Sequence, residues 1–184
     1  MFIQTEQTPN PATLKFLPGR TVMTSGTANF TDAEGAARAS PLAERLFALP
    51  QVTGVFLGAD FITVSKGAEA DWYQLKPLIL AAIMEHFTGG RPVLVEAGKG
   101  AAEERQEEED EIVSQIKELL ETRVRPAVAQ DGGDIIFQDY EDGVVYLHMQ
   151  GSCSGCPSST ATLKAGIENM LRHYIPEVVE VRAV

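Results

Sequence analysis

The feature that most constrains this chain is a break between residues 97 and 111. Ala97-Gly98-Lys99-Gly100-Ala101-Ala102 offers almost no apolar side chain to bury, and Glu103 to Glu111 then sets seven acids against one base, Arg105. A stretch of that composition cannot bury enough apolar surface to offset its ordering entropy. It reads as an acidic flexible linker over 97–108, so the chain must build two cores rather than one. The charge divides at the same place. Residues 1–102 carry 9 acidic and 8 basic side chains, whereas residues 103–184 carry 17 and 7. The expected fold class is α+β or α/β, as two small mixed domains over 1–96 and 109–184.

The formal charge of −11 argues against a nucleic-acid partner, which selects for a basic face. It argues equally against an anionic membrane surface. No run of about 18 apolar residues is present, so no spanning helix is expected. Met1-Phe2-Ile3-Gln4-Thr5-Glu6 has neither a basic n-region nor an apolar h-region, and it is not Arg-rich as a transit peptide would be. Two cysteines in 184 residues are too few for a secreted disulfide scaffold and suggest a reducing compartment.

In the first half, Phe2 to Thr5, Thr13 to Leu17 and Thr21 to Met23 read as short strands, separated by the proline-bearing Gln7-Thr8-Pro9-Asn10-Pro11 and the turn pair Pro18-Gly19. Ser40-Pro41 opens a helix, with serine at the N-cap and proline at the first helical position. Leu42, Leu46 and Leu49 give its apolar side. Val52 to Leu57 and Phe61 to Ser65 form a hairpin across Gly58-Ala59-Asp60. Asp71 caps a long helix, Trp72 to Phe87, with Leu75, Leu78, Ile79, Ala82, Ile83 and Phe87 on one face. His86 reads as a structural residue and Trp72 as core.

In the second half, Glu107 to Arg125 is a helix with a stripe of Ile112, Ile116, Leu119 and Leu120, ended at Pro126 or kinked there with Ala127 to Gln130 continuing it. Asp131-Gly132-Gly133-Asp134 reads as a turn. Ile135 to Tyr140 and Val144 to Met149 are strands joined at Glu141-Asp142-Gly143. A helix begins at Cys156-Pro157, with Leu163, Ile167, Met170, Leu171 and Tyr174 on its apolar side. Pro176 closes it, and Glu177 to Val181 forms a last strand.

The only cysteines of the chain fall in Gly151-Ser152-Cys153-Ser154-Gly155-Cys156-Pro157. Two thiols at that spacing can face one metal, but they supply half of the four ligands that zinc or an iron–sulfur cluster takes. The rest must come from a second chain, a small thiol, or nothing. A helix N-terminus lowers thiol pKa and favours the metal-binding thiolate. The flanking glycines leave room for an inorganic core, and Ser152, Ser154, Ser158 and Ser159 are candidate hydroxyl donors to it, Ser158 and Ser159 reading rather as loop filler or helix caps. As loop residues, both cysteines are expected to tolerate serine without loss of fold. A Cys-x-x-Cys alone leaves redox, metal and structural readings open.

Asp131-Gly132-Gly133-Asp134, followed about twenty residues on by Gly151 to Ser159, resembles the C-terminal domain of NifU and the Nfu family. Thr8-Pro9-Asn10-Pro11-Ala12-Thr13-Leu14-Lys15-Phe16 and Leu17-Pro18-Gly19 resemble the Nfu N-terminal domain. The resemblance implies an iron–sulfur cluster scaffold and carrier rather than an enzyme. Cys153 and Cys156 match the family's ligands. They imply a [4Fe–4S] cluster bridging two subunits, with [2Fe–2S] the other cluster type left open. The implied partners are the cluster-assembly machinery, recipient apo iron–sulfur proteins and a second copy of the chain. The implied setting is the bacterial cytoplasm, or the mitochondrial matrix if a transit peptide has been removed. A thiol–disulfide oxidoreductase using the same cysteine pair is the alternative.

Overall fold

The computed structural model describes residues 2–95, 111–154 and 157–184. The chain falls into two compact units dividing between Glu103 and Glu104, each with its own core. The expected linker, 97–108, lies outside the described residues.

The first unit is a five-stranded antiparallel sheet with three helices. Its strands are β1 (Gln4–Gln7), β2 (Thr13–Leu17), β3 (Ala28–Phe30), β4 (Val52–Leu57) and β5 (Ile62–Lys66), in spatial order β1-β2-β5-β4-β3. The helices are α1 (Ala33–Ala39), α2 (Pro41–Phe47) and α3 (Trp72–Thr88). The β4–β5 hairpin forms where the sequence places it, with Leu57 opposite Ile62 and Gly58 N–H donating to the Phe61 carbonyl at 2.9 Å. Ser40 caps α2 by accepting from Ala43 N–H, and its hydroxyl also donates to the Val93 carbonyl at 2.5 Å. Asp71 caps α3 by accepting from Tyr73 N–H at 2.9 Å. Phe16, Leu42, Leu46, Leu57, Ile62, Ile79 and Ile83 fill the core.

Three expectations for this unit need correction. Thr21 to Met23 is not a strand: the Val22 and Met23 amides both donate to the Ala59 carbonyl, at 2.8 and 3.2 Å, and tie down a buried loop. The edge strand is Ala28–Phe30 instead, followed by α1, which Asp32 caps through Gly35 N–H at 2.6 Å. Leu78 is 45% exposed. It lies about 100° round the helix from Ile79, off the stripe of Leu75, Ile79, Ala82 and Ile83 that joins the core. Trp72 is half-buried, with its indole N–H donating to the Pro11 carbonyl at 3.1 Å.

The second unit runs α4 (Glu111–Leu119), a π turn (Leu120–Val124), α5 (Arg125–Gln130), β6 (Gly133–Glu141), β7 (Val144–Gly151), α6 (Pro157–Tyr174) and β8 (Glu180–Ala183). Pro126 does not end the helix, and the expected continuation over Ala127 to Gln130 is present. The chain passes through the π turn, whose wider spacing tolerates the missing amide, and α5 continues to Gln130. β6 and β7 pair antiparallel, and β8 joins β7 in parallel after the α6 crossover. Asp142 (φ 50°) and Gly143 (φ 80°) make the two-residue turn, a left-handed pair that matches the twist of a tight hairpin. Val145, Leu147 and Met149 alternate inward from β7 onto Ile116, Leu120, Val128, Ile167 and Leu171. Two further expectations fail here. Tyr174 is 48% exposed, and the last strand starts at Glu180 because Ile175 and Val178 turn inward first.

Candidate functional site

The cysteine loop leaves β7 at Gly151 and rejoins regular structure at Pro157, the first residue of α6. Cys156 and Gly155, and the side chains of Ser158 and Ser159, lie outside the described residues. Cys153 is described, and its setting departs from that of a mobile loop thiol. It is 7% exposed and belongs to the hydrophobic cluster of the second unit. Its replacement therefore touches the core, contrary to expectation.

The Asp-Gly-Gly-Asp segment explains how the thiol is buried. The turn is confined to Asp131 and Gly132, and Gly133 already pairs with Gly151 as the first residue of β6. A Cβ on Gly133 would sit 2.5 Å from Cys153 Sγ, 2.8 Å from the Gln150 carbonyl and 3.1 Å from the Cys153 amide. Glycine is required there for space, because the Cys153 side chain occupies the volume a larger residue would fill.

Neighbouring groups fasten the same corner. Ser152 is 2% exposed; its hydroxyl donates to the Asp131 carbonyl and its amide to the Gly132 carbonyl at 3.2 Å. The sequence marks Ser152 as a donor toward an inorganic core, but this hydroxyl is spent within the protein. Thr160, in the first turn of α6, donates its hydroxyl to the Cys153 carbonyl at 3.0 Å. Asp134 is buried and takes a two-bond fork from Arg125, Nε to Oδ1 and Nη2 to Oδ2, both at 2.8 Å. Its Oδ1 also accepts from the Ile135 amide at 2.8 Å. The fork, and a further bond to Glu121, hold the Arg125 guanidinium charged. Neither Arg125 nor Thr160 stands out in the sequence, because each meets its partner only through the fold.

The electrostatics also reverse an expectation. Burial pushes the Cys153 thiol up to about 11; the hydrogen bond with Ser152 offsets part of this, and the charges of Asp131 and Asp134 add to the rise. Cys153 lies four residues before α6 begins, and its burial outweighs any acidifying contribution there. At neutral pH the thiol is protonated, and ligation by it must release a proton. Among the described residues no group of three or more His, Cys, Asp and Glu is placed to hold a metal ion. His148 points away from the inward residues of β7, with Nδ1 3.0 Å from the Val184 carbonyl oxygen. An apolar cleft of about 320 Å³ is lined by Val124 of the π turn, Val128 of α5, and Leu163, Ile167 and Met170 of α6. No helix among the described residues is long and apolar enough to cross a membrane.

Two α+β units in tandem, the second carrying a cysteine pair on the loop between a strand and a helix, define a modular thiol-bearing protein. Residues 3–90 match the family model described as scaffold protein Nfu/NifU N terminal, and residues 116–182 match the NifU-like domain. The chain belongs to the NifU/Nfu family. It is 55% identical over 184 residues to a Drosophila sechellia protein named NFU1 iron-sulfur cluster scaffold homolog, mitochondrial, covering 100% of this chain and 65% of that one. The Drosophila willistoni protein of the same name is 54% identical over 184 residues, with 100% and 64% covered. The chain thus spans just under two thirds of the length of these relatives. The solution structure of the NifU-like protein from Saccharomyces cerevisiae aligns with 52% of this chain and 86% of its own, at 27% identity and a TM-score of 0.48. The relatives' names speak of mitochondria, and none of them supports the bacterial cytoplasm expected from the sequence.

Proposed function

We propose that this chain is an iron–sulfur cluster scaffold and carrier. Cys153 and Cys156 ligate a [4Fe–4S] cluster shared between two subunits, and the holo-dimer hands it to apo iron–sulfur proteins after loading by the assembly machinery. The cluster is cargo, not a resident cofactor. The observation that carries the reading is the pair of family matches, in one chain and in order, with the only two cysteines inside the second of them. The donor set fits. Thiolates are the protein ligands of such clusters, and two per chain complete a set of four when a second copy faces the first. The division into 1–96, 97–108 and 109–184 belongs to the same proposal. The relatives' names favour the mitochondrial matrix as the compartment.

The oxidoreductase alternative is less well supported. Exchange needs an accessible thiolate, whereas Cys153 is buried and its thiol is pushed up rather than down.

Anaerobic reconstitution followed by native mass spectrometry tests the proposal. The expected species is a dimer holding about four irons and four sulfides per two chains, lost in Cys153→Ser and in Cys156→Ser. A holo-monomer with a complete cluster and no added thiol, or a wild-type protein that retains no iron, would overturn it.

A further inference from the structure

We propose that Ser152 and Thr160 act together as a clamp that positions Cys153. The use to which the position is put rests on the cluster-carrier reading; the clamp itself does not. Three elements converge on this one residue. The residue before it is fastened to the α5–β6 turn by the Ser152 hydroxyl and amide, which bond the Asp131 and Gly132 carbonyls. Its own carbonyl is held by the Thr160 hydroxyl at 3.0 Å. Its sulfur rests where Gly133 has no side chain.

The Thr160 bond is the informative one. A hydroxyl in a helix usually returns to a carbonyl three or four residues earlier on its own helix. Thr160 instead reaches back seven residues, beyond the start of α6, to the residue that carries the thiol. Ser152, 2% exposed, is likewise buried against the neighbouring turn rather than offered to solvent. Both hydroxyls are therefore positioning groups: Thr160 holds the Cys153 carbonyl and Ser152 holds the Asp131 carbonyl, and the Ser152 side chain also meets the Cys153 thiol. A shared site requires two thiols in each copy to arrive in register with those of the other, and a fixed Cys153 backbone reduces the ordering that assembly would otherwise require.

The test uses the full chain carrying Cys156→Ser, so that Cys153 is the sole thiol, and follows its alkylation by iodoacetamide with mass detection. Thr160→Val keeps the side-chain volume but removes the hydroxyl. Its alkylation should be about fivefold to tenfold faster, the change in local opening expected from the loss of one hydrogen bond. Thr160→Ser should restore the parent rate to within about twofold, and Ser152→Ala should move it in the same direction as Thr160→Val. In the two-cysteine background, the Thr160→Val holo-protein should lose iron to a chelator faster than wild type, with an unchanged far-UV circular dichroism spectrum. An unchanged alkylation rate in Thr160→Val, or no restoration by Thr160→Ser, overturns the clamp. If Thr160→Val does not fold, Ser152→Ala decides, and an unchanged rate there overturns it. Alkylation that responds as expected in a protein that never holds iron supports the clamp and sinks only the carrier reading.

Discussion

Gly133→Ala is the most demanding test of how the thiol loop is built. Two effects oppose each other. Alanine narrows the unfolded ensemble, which stabilises by about 0.4–1 kcal/mol where the native backbone accepts it. Gly133 has no positive φ, so the backbone does accept it. Against this, the new Cβ would lie 2.5 Å from Cys153 Sγ, more than about 1 Å inside ordinary contact. The thiol can swing aside, but the Gln150 carbonyl at 2.8 Å and the Cys153 amide at 3.1 Å are backbone and cannot rotate away. Overpacking of this kind costs about 1–3 kcal/mol. The steric term wins, and a net loss of about 1–2 kcal/mol is expected, or roughly 5- to 30-fold in the opening equilibrium of the β6–β7 pair. Hydrogen exchange with mass detection on peptides from β6 and β7 reads this without interference from the first unit. The Gly133→Ala, Cys153→Ala double variant should recover only part of the loss, because it relieves one of the three contacts. Equal or greater protection in Gly133→Ala would refute the reasoning, since it would mean that the sulfur does not occupy that volume.

Arg125→Met takes the two-bond fork from the buried Asp134 carboxylate. It should destabilise the second unit by about 2–3 kcal/mol, below the figure for a fully buried pair because the Arg125 side chain is 30% exposed; exchange at β6 measures it. Cys153→Ser puts a hydroxyl where a weakly polar thiol was buried and should cost about 1–2 kcal/mol in the apo protein, with Cys153→Ala milder, as read from thermal melts. In the first unit His86 is fully buried, and among the described residues neither ring nitrogen has a hydrogen-bond partner. Burial and then the Arg45 and Arg91 charges hold its pKa below 6.5, outweighing the nearby Arg91 and Pro92 backbone. The unfolded chain therefore binds the proton more readily. Stability of the first unit should be complete above about pH 6.5 and fall as pH drops toward the lowered folded value. Thermal melts from pH 7.5 to pH 5 should show this slope in wild type, and His86→Leu should flatten it.

The sequence alone determined whatever depends on a few adjacent residues. Ser40-Pro41, Asp71 and Pro157 mark helix starts because a cap or a proline acts on its own next turn. The two hairpins follow from glycine-bearing turns between β-rich runs. The cysteine pair and the paired family motifs were equally legible, since they are patterns of residue type. Tertiary structure decided the rest, and each case turns on a contact between residues far apart in the chain. Ala28-Asn29-Phe30 is a strand only because β4 lies beside it, while Val22 and Met23 are a loop because the Ala59 carbonyl claims both amides. Gly133 looks like half of a flexible turn until Gly151 pairs with it and Cys153 fills the space above it. Cys153 looks like an exposed, acidified loop thiol. The fold instead buries it beside two carboxylates, where desolvation holds the thiol up. Spacing in a sequence specifies which side chains can meet one another locally, but burial is set by what the rest of the chain brings alongside.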